Sequence, residues 1–139
     1  DICKKALKIA KFNAKMHHLK NNINFINIDI DKIQDNKYDF VISNPPYIKK
    51  FNLRRLDQGV KFFEPHIALE AGIDGLREIK KLISKSNRLL KINGKLIFEI
   101  DMHQCKIIKK ILKQNGFYIN KVINDISSIP RVIISTKIF

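Results

Sequence analysis

Residues 38–50 read YDFVISNPPYIKK, and the reading of this stretch decides the fold. Phe40, Val41 and Ile42 form the near-continuous apolar run of a strand covered on both faces. Asn44-Pro45-Pro46-Tyr47 then ends that strand, because proline has no N–H to give a sheet ladder. A stiff, non-helical tip with few backbone donors is therefore predicted just past residue 43. Held at the carboxyl end of a strand, such a tip is suited to presenting acceptors to a ligand.

Working outward, residues 3–19 carry Ala6, Leu7, Ala10, Ala14 and Met16 near helical spacing, with lysines between them. NINFINIDI predicts a strand over 23–28, ending before Asp29. Residues 48–73 show no clear period, and an unpatterned stretch of that length usually carries function. A helix is expected over 74–91 with Asp74 as N-cap and Leu76, Ile79, Leu82, Ile83, Leu89 and Leu90 inward. Asn93-Gly94 marks a turn, 95–100 a strand, and 103–115 a helix stopped by Gly116. FYINKVIND and RVIISTKIF close the chain as two strands around a short loop containing Pro130. Strand and helix alternate until those last two strands, so the fold class is α/β: a mostly parallel sheet with one antiparallel strand near the C-terminus. Residues 1–139 read as one domain.

The composition agrees with a globular domain: 45% hydrophobic, 29% charged, in 139 residues. No apolar run approaches the ~20 residues of a membrane span. The opening, DICKKALKIAKFNAK, is amphipathic, lacks an initiator Met and begins in mid-pattern, so the chain is expected to be a piece of a longer protein. Cys3 and Cys105 lie far apart without metal-ligand spacing, which fits a reducing, cytoplasmic setting. DIDKIQD, 29–35, lacks the glycine and terminal glutamate of a calcium loop, and no metal is expected. The net charge of +14 invites a nucleic-acid reading. Its lysines are spread over several helices without interleaved aromatics, so specific nucleic-acid binding is not expected.

Ligands of open α/β sheets sit outside the carboxyl ends of the strands. Asp1, Asp29 and Asn44 through Tyr47 fall there. An acid at a strand end can accept from a ribose diol or an amino group, although Asp also caps turns without any ligand. In the tip, the Asn44 side-chain carbonyl and the Pro45 main-chain carbonyl can both accept from one planar NH2 group. Tyr47 can lie on the flat face of the group bearing it, and Pro46 stiffens the turn beforehand. Such a nitrogen is a poor nucleophile because its lone pair is delocalised. Two acceptors pulling on its protons favour pyramidalisation and aim the lone pair at an electrophile.

These residues resemble a known family. SNPPYI is similar to the signature of class I S-adenosylmethionine-dependent amino methyltransferases. EPHIALEAGIDGL, 64–76, resembles the block that follows it in the HemK/PrmC glutamine methyltransferases of peptide-chain release factors. GKLIFEI with Gln104, and DISSIPRVI at 125–133, agree with that family's later strands. The resemblance implies a Rossmann-like sheet, S-adenosyl-L-methionine as cofactor and a release factor as protein substrate. It gives Asp1 the ribose hydroxyls and Asp29 and Ile30 the adenine. Asn44, Pro45, Pro46 and Tyr47 would bind the glutamine amide, with Asn44, Pro45 and Tyr47 at the reacting centre and Asn44 also beside the methyl donor. Transfer would be direct and in-line, without a metal or covalent intermediate. Glu64 and the Gly72–Gly75 turn would shape the substrate loop.

Departures from the family pattern carry their own expectations. The glycine-rich cofactor loop, the first sheet strand and most of the second would lie upstream of Asp1, so the sheet is expected to be partial, with strand 23–28 left as an unpaired edge. These 139 residues alone are expected to bind cofactor poorly and to be inactive. Asp101 stands where the family has glycine. Two alternatives remain: an exocyclic-amine methylase of nucleic acid, which shares the NPPY tip, and an inactive remnant of either enzyme.

Overall fold

The computed structural model describes residues 1–34, 38–45 and 76–139. The chain divides into two compact units, Asp1–Gln34 and Asp35–Phe139. Pro46, Tyr47, Glu64, the Gly72–Gly75 turn and the Asp74 cap lie outside the described residues, as does the unpatterned stretch 48–73.

In the first unit, helix α1 spans Lys4–Met16, shorter at both ends than the predicted 3–19. Ala14 is buried, and Ala10 and Leu7, one and two turns earlier on the same face, are half-buried. The helix closes through His18, which takes a left-handed φ of 57°. That turn lets Leu19 N–H reach back to the Ala14 carbonyl at 2.8 Å. The strand expected over 23–28 is not formed. Ile23 is extended (φ −125°, ψ 124°), but extended backbone becomes a strand only with a ladder beside it. Among the described residues the main-chain contact is one bond, from the Asp1 nitrogen to the Ile26 carbonyl at 3.1 Å.

The second unit is a four-stranded mixed sheet in the order β1-β2-β4-β3. β1 is Tyr38–Ser43, β2 Leu90–Glu99, β3 Phe117–Asn124 and β4 Pro130–Lys137. β1 and β2 are parallel, while β4 runs antiparallel to both β2 and β3. One strand is therefore reversed, near the C-terminus, as expected. Helix α2, Arg77–Leu89, and helix α3, Cys105–Gln114, touch one another and pack on β2 and β3 respectively. Ile79, Leu82, Ile83 and Leu89 recur at helical spacing and are buried. Leu96, Phe98 and Ile100 alternate inward on and just beyond β2. Glu78 near the start of α2 and Arg88 near its end complement the helix dipole. The Lys137 ammonium completes the end by donating to the Asn87 and Leu90 carbonyls.

Two expectations are corrected here. β2 begins at Leu90, not 95, because the strand runs through the Asn93-Gly94 turn as an irregularity: pairing jumps from Tyr38↔Leu90 to Phe40↔Lys95, and Asn93 holds a φ of 67°. And β1 is not covered on both faces. It is an edge strand of this sheet, with Phe40 58% and Ile42 74% exposed.

Candidate active site

The parallel pairing of β1 and β2 gives the two strands a common carboxyl end. Its last matched residues are Ser43 and Phe98. Asn44 and Pro45 leave the sheet there, while on the neighbouring strand β2 ends at Glu99 and the backbone runs on through Ile100 and Asp101. Pro45 is buried and Asn44 is exposed. The proline ring thus anchors the tip while the amide faces outward, and no described residue hydrogen-bonds the Asn44 side chain. Ile100 N–H donates to the Arg131 carbonyl at 2.9 Å, holding this end of β2 against the start of β4. Asp101 turns the chain away: its Oδ1 accepts from His103 N–H at 2.9 Å at the head of a 3-10 turn, Met102–Gln104. Where the family pattern has glycine, the aspartate serves as a cap.

The remaining candidates sit in the first unit. Asp1 Oδ1 accepts from Cys3 N–H at 2.7 Å, just ahead of α1. Asp29 Oδ1 accepts from Asp31 N–H at 3.0 Å and opens the 3-10 turn Ile30–Lys32, with Ile30 half-buried. Both acids therefore fill the capping role that Asp plays without a ligand. A carboxylate oxygen has two lone pairs, so the bond from Cys3 N–H leaves acceptor capacity at Asp1. Asp1 and the segment leading to Asp29 are brought together by a residue the sequence reading missed. Asn27 Nδ2 donates to the Asp1 carbonyl at 2.9 Å and the Ile2 carbonyl at 3.0 Å. Its alternation in NINFINIDI marks it as polar, but nothing in the pattern says which backbone it bonds.

Neither described cavity is lined by these candidates. One, of about 440 Å³, lies over Phe117, Tyr118 and Ile138, and another, of about 400 Å³, over Phe12 and Phe25. Among the described residues no His/Cys/Asp/Glu group could hold a metal ion, Cys3 and Cys105 are free thiols, and no helix is long and apolar enough to cross a membrane.

A family model described as a methyltransferase domain matches residues 1–136. The chain belongs to the methyltransferase domain family. This methyltransferase domain is 40% identical to a release factor glutamine methyltransferase of Fusobacterium nucleatum, over 99% of its own length and 39% of the relative's. It is 35% identical to a bifunctional methyltransferase of Rickettsia typhi, over 96% of the chain and 26% of that relative. It thus spans well under half of either protein. Among solved structures, a ribosomal protein L11 methylase from Lactobacillus delbrueckii subsp. bulgaricus superposes on the whole methyltransferase domain and 56% of its own chain. The TM-score is 0.69 at 18% identity, which identifies the Rossmann-like methyltransferase fold.

Proposed function

We propose that the protein transfers the methyl group of S-adenosyl-L-methionine to the side-chain amide nitrogen of a glutamine in a peptide-chain release factor. The observation that carries this reading is the tip at the end of β1: an exposed Asn44 amide, unbonded to any described residue, beside a buried Pro45. The name of the Fusobacterium relative, a release factor glutamine methyltransferase, supports the acceptor. The family model runs through both compact units, which supports reading residues 1–139 as parts of one catalytic domain.

The donor set suits the cofactor. Asp1 offers a carboxylate to the ribose hydroxyls, and Asp29 an acceptor to the adenine amino group, with the half-buried Ile30 against the ring. When bound, the cofactor supplies an electrophilic sulfonium methyl. The work of this chain is at the acceptor. The Asn44 Oδ1 and the Pro45 carbonyl would accept hydrogen bonds from the two N–H groups of the glutamine amide, with Pro46 and Tyr47 of the same motif as further substrate residues. That geometry weakens conjugation of the nitrogen lone pair and directs it outward. As the N–CH3 bond forms the S–CH3 bond breaks, the demethylated thioether leaves, and the nitrogen gives up one proton to solvent. Catalysis is then orientation and electrostatics. Release factors work during translation termination, so the reaction belongs in the cytoplasm.

The test is methyl transfer from labelled S-adenosylmethionine, in the full-length protein, to release factor and in parallel to RNA and DNA. Label is expected in release factor, and label confined to nucleic acid would favour the exocyclic-amine alternative. Asn44→Ala is expected to lower turnover by about 100-fold while leaving cofactor affinity near wild type.

A further inference from the structure

Two residues with complementary needs, Asn44 and Glu99, each follow the last matched pair, Ser43 and Phe98, at the carboxyl end of the β1–β2 pair. Asn44 has left the strand, but that register continued by one step would bring it level with Glu99, the last residue of β2. Matched positions on neighbouring parallel strands project to the same face of the sheet. Glu99 is half-buried, and no described residue hydrogen-bonds either its carboxylate or the Asn44 amide. Among the described residues, Asp101 caps the turn at His103, and Arg131 pairs with Asp125 at 3.3 Å.

We propose that Glu99 is a positioning residue that fixes which way the Asn44 amide faces. The inference rests on the glutamine-methylation reading above. A side-chain amide can flip, exchanging its oxygen for its NH2, and only one orientation turns Oδ1 toward an acceptor nitrogen. A carboxylate accepts and never donates. Glu99 therefore draws the Asn44 NH2 to itself through a charge-assisted hydrogen bond and leaves Oδ1 to the open side. Contacts of this kind are often unmade in the free protein and close when substrate enters. The same carboxylate rejects the flipped amide, whose oxygen would face its negative charge.

The experiment is a double-mutant cycle in the full-length protein, with release factor as methyl acceptor. Glu99→Ala is expected to lower kcat by about 10-fold or more with little change in KM or in cofactor affinity. The double variant Asn44→Ala/Glu99→Ala should be no slower than Asn44→Ala alone, because Glu99 acts only through the amide. Glu99→Gln keeps the shape of the strand end and guards against loss of fold. It can donate as well as accept, so it should still cost roughly 3- to 10-fold in kcat. Additive losses, or wild-type kcat in the Glu99 variants, would overturn the assignment while leaving the methylation reading intact. Wild-type turnover in Asn44→Ala would instead overturn that reading itself.

Discussion

The two compact units draw on the same residues, isoleucine and lysine above all, and use them differently. In Asp35–Phe139, Ile79, Ile83, Ile100, Ile108 and Ile133 are fully buried; in Asp1–Gln34, Ile2, Ile9, Ile23 and Ile26 are 43–63% exposed and the buried apolar side chain is Ala14. Both units contain a helix with a clear apolar periodicity. What separates them is the sheet. A ladder of β1, β2, β4 and β3 offers α2 and α3 a wide flat face to cover, while a helix beside an unladdered extended segment has none. Amphipathic spacing therefore specifies that a helix forms, and the presence of a second layer specifies what the helix buries.

The largest effect that would test this contrast is a pair of matched truncations. Phe98→Ala removes a ring that is 1% exposed, inside the sheet-helix core, and is expected to lower stability by about 3–5 kcal/mol. Phe12→Ala removes a ring that is 62% exposed on α1 and should change stability by no more than about 0.5 kcal/mol. Chemical denaturation of both variants under one set of conditions is the measurement. Equal losses would mean that Phe12 is covered in solution and that the contrast between the units is wrong.

Smaller effects sharpen the comparison at the helix ends. Each unit stops a helix with a left-handed residue: Gly116 at φ 76° after α3, His18 at φ 57° after α1. Only the first uses the residue that adopts this conformation freely. Gly116→Ala is expected to cost about 1–2 kcal/mol. The new Cβ would also lie 3.0 Å from the Phe139 ring, but that ring is 76% exposed and can move, so the backbone strain dominates. His18→Gly should act in the opposite sense, gaining up to about 1 kcal/mol in thermal or denaturant unfolding. Next comes a flaw in the better-packed unit. Ser86 is fully buried in α2, and its Oγ has no hydrogen-bond partner among the described residues. Ser86→Ala removes that desolvated hydroxyl and is expected to stabilise by about 1 kcal/mol; a loss of that size would mean the hydroxyl has a partner in solution.

Where the sequence was legible follows the same division. The inward set of α2, the stop at Gly116, the reversed last strand and the end of β1 at Ser43 were all readable, because each depends on local periodicity or on one residue's backbone chemistry. Two features were not. The segment 23–28 has a strand pattern, yet no string of alternating residues says whether a neighbour will arrive to pair with it. Phe40 and Ile42 look like the interior of a buried strand, but position in a sheet is a property of the order of strands, not of the strand. At the candidate site, the exit of the chain from the sheet at Asn44 and Pro45 was legible because proline dictates the backbone there. The register that matches Ser43 with Phe98 was not, since it joins chain segments more than fifty residues apart. Asn27 escaped for the same reason.

The smallest effect concerns turns held by aspartate, and it compares the units through pH. In the first unit, Asp1 takes one local N–H from Cys3. In the second, Asp125 gathers the β3–β4 turn: Oδ1 accepts from Ser127 N–H at 2.9 Å and Ile129 N–H at 3.1 Å, and Oδ2 meets the Arg131 guanidinium at 3.3 Å. The Ile129 bond foremost, then Ser127 and Arg131, hold the Asp125 carboxyl below its usual value of 3.8, against a smaller opposing effect of desolvation. The folded value is thus depressed relative to the unfolded chain. The turn's contribution is present in full above about pH 4 and disappears as pH falls through the folded value, where the carboxylate must take a proton. Unfolding measured from neutral pH to about pH 2 should show Asp125→Asn less stable than wild type at the upper end, the gap closing below pH 4. A gap that stays constant across that range would mean the turn is held by its backbone bonds alone, Asp125 N–H to the Ile129 carbonyl at 2.8 Å and Ser128 N–H to the Asp125 carbonyl at 3.0 Å, with the charge on the side chain contributing nothing.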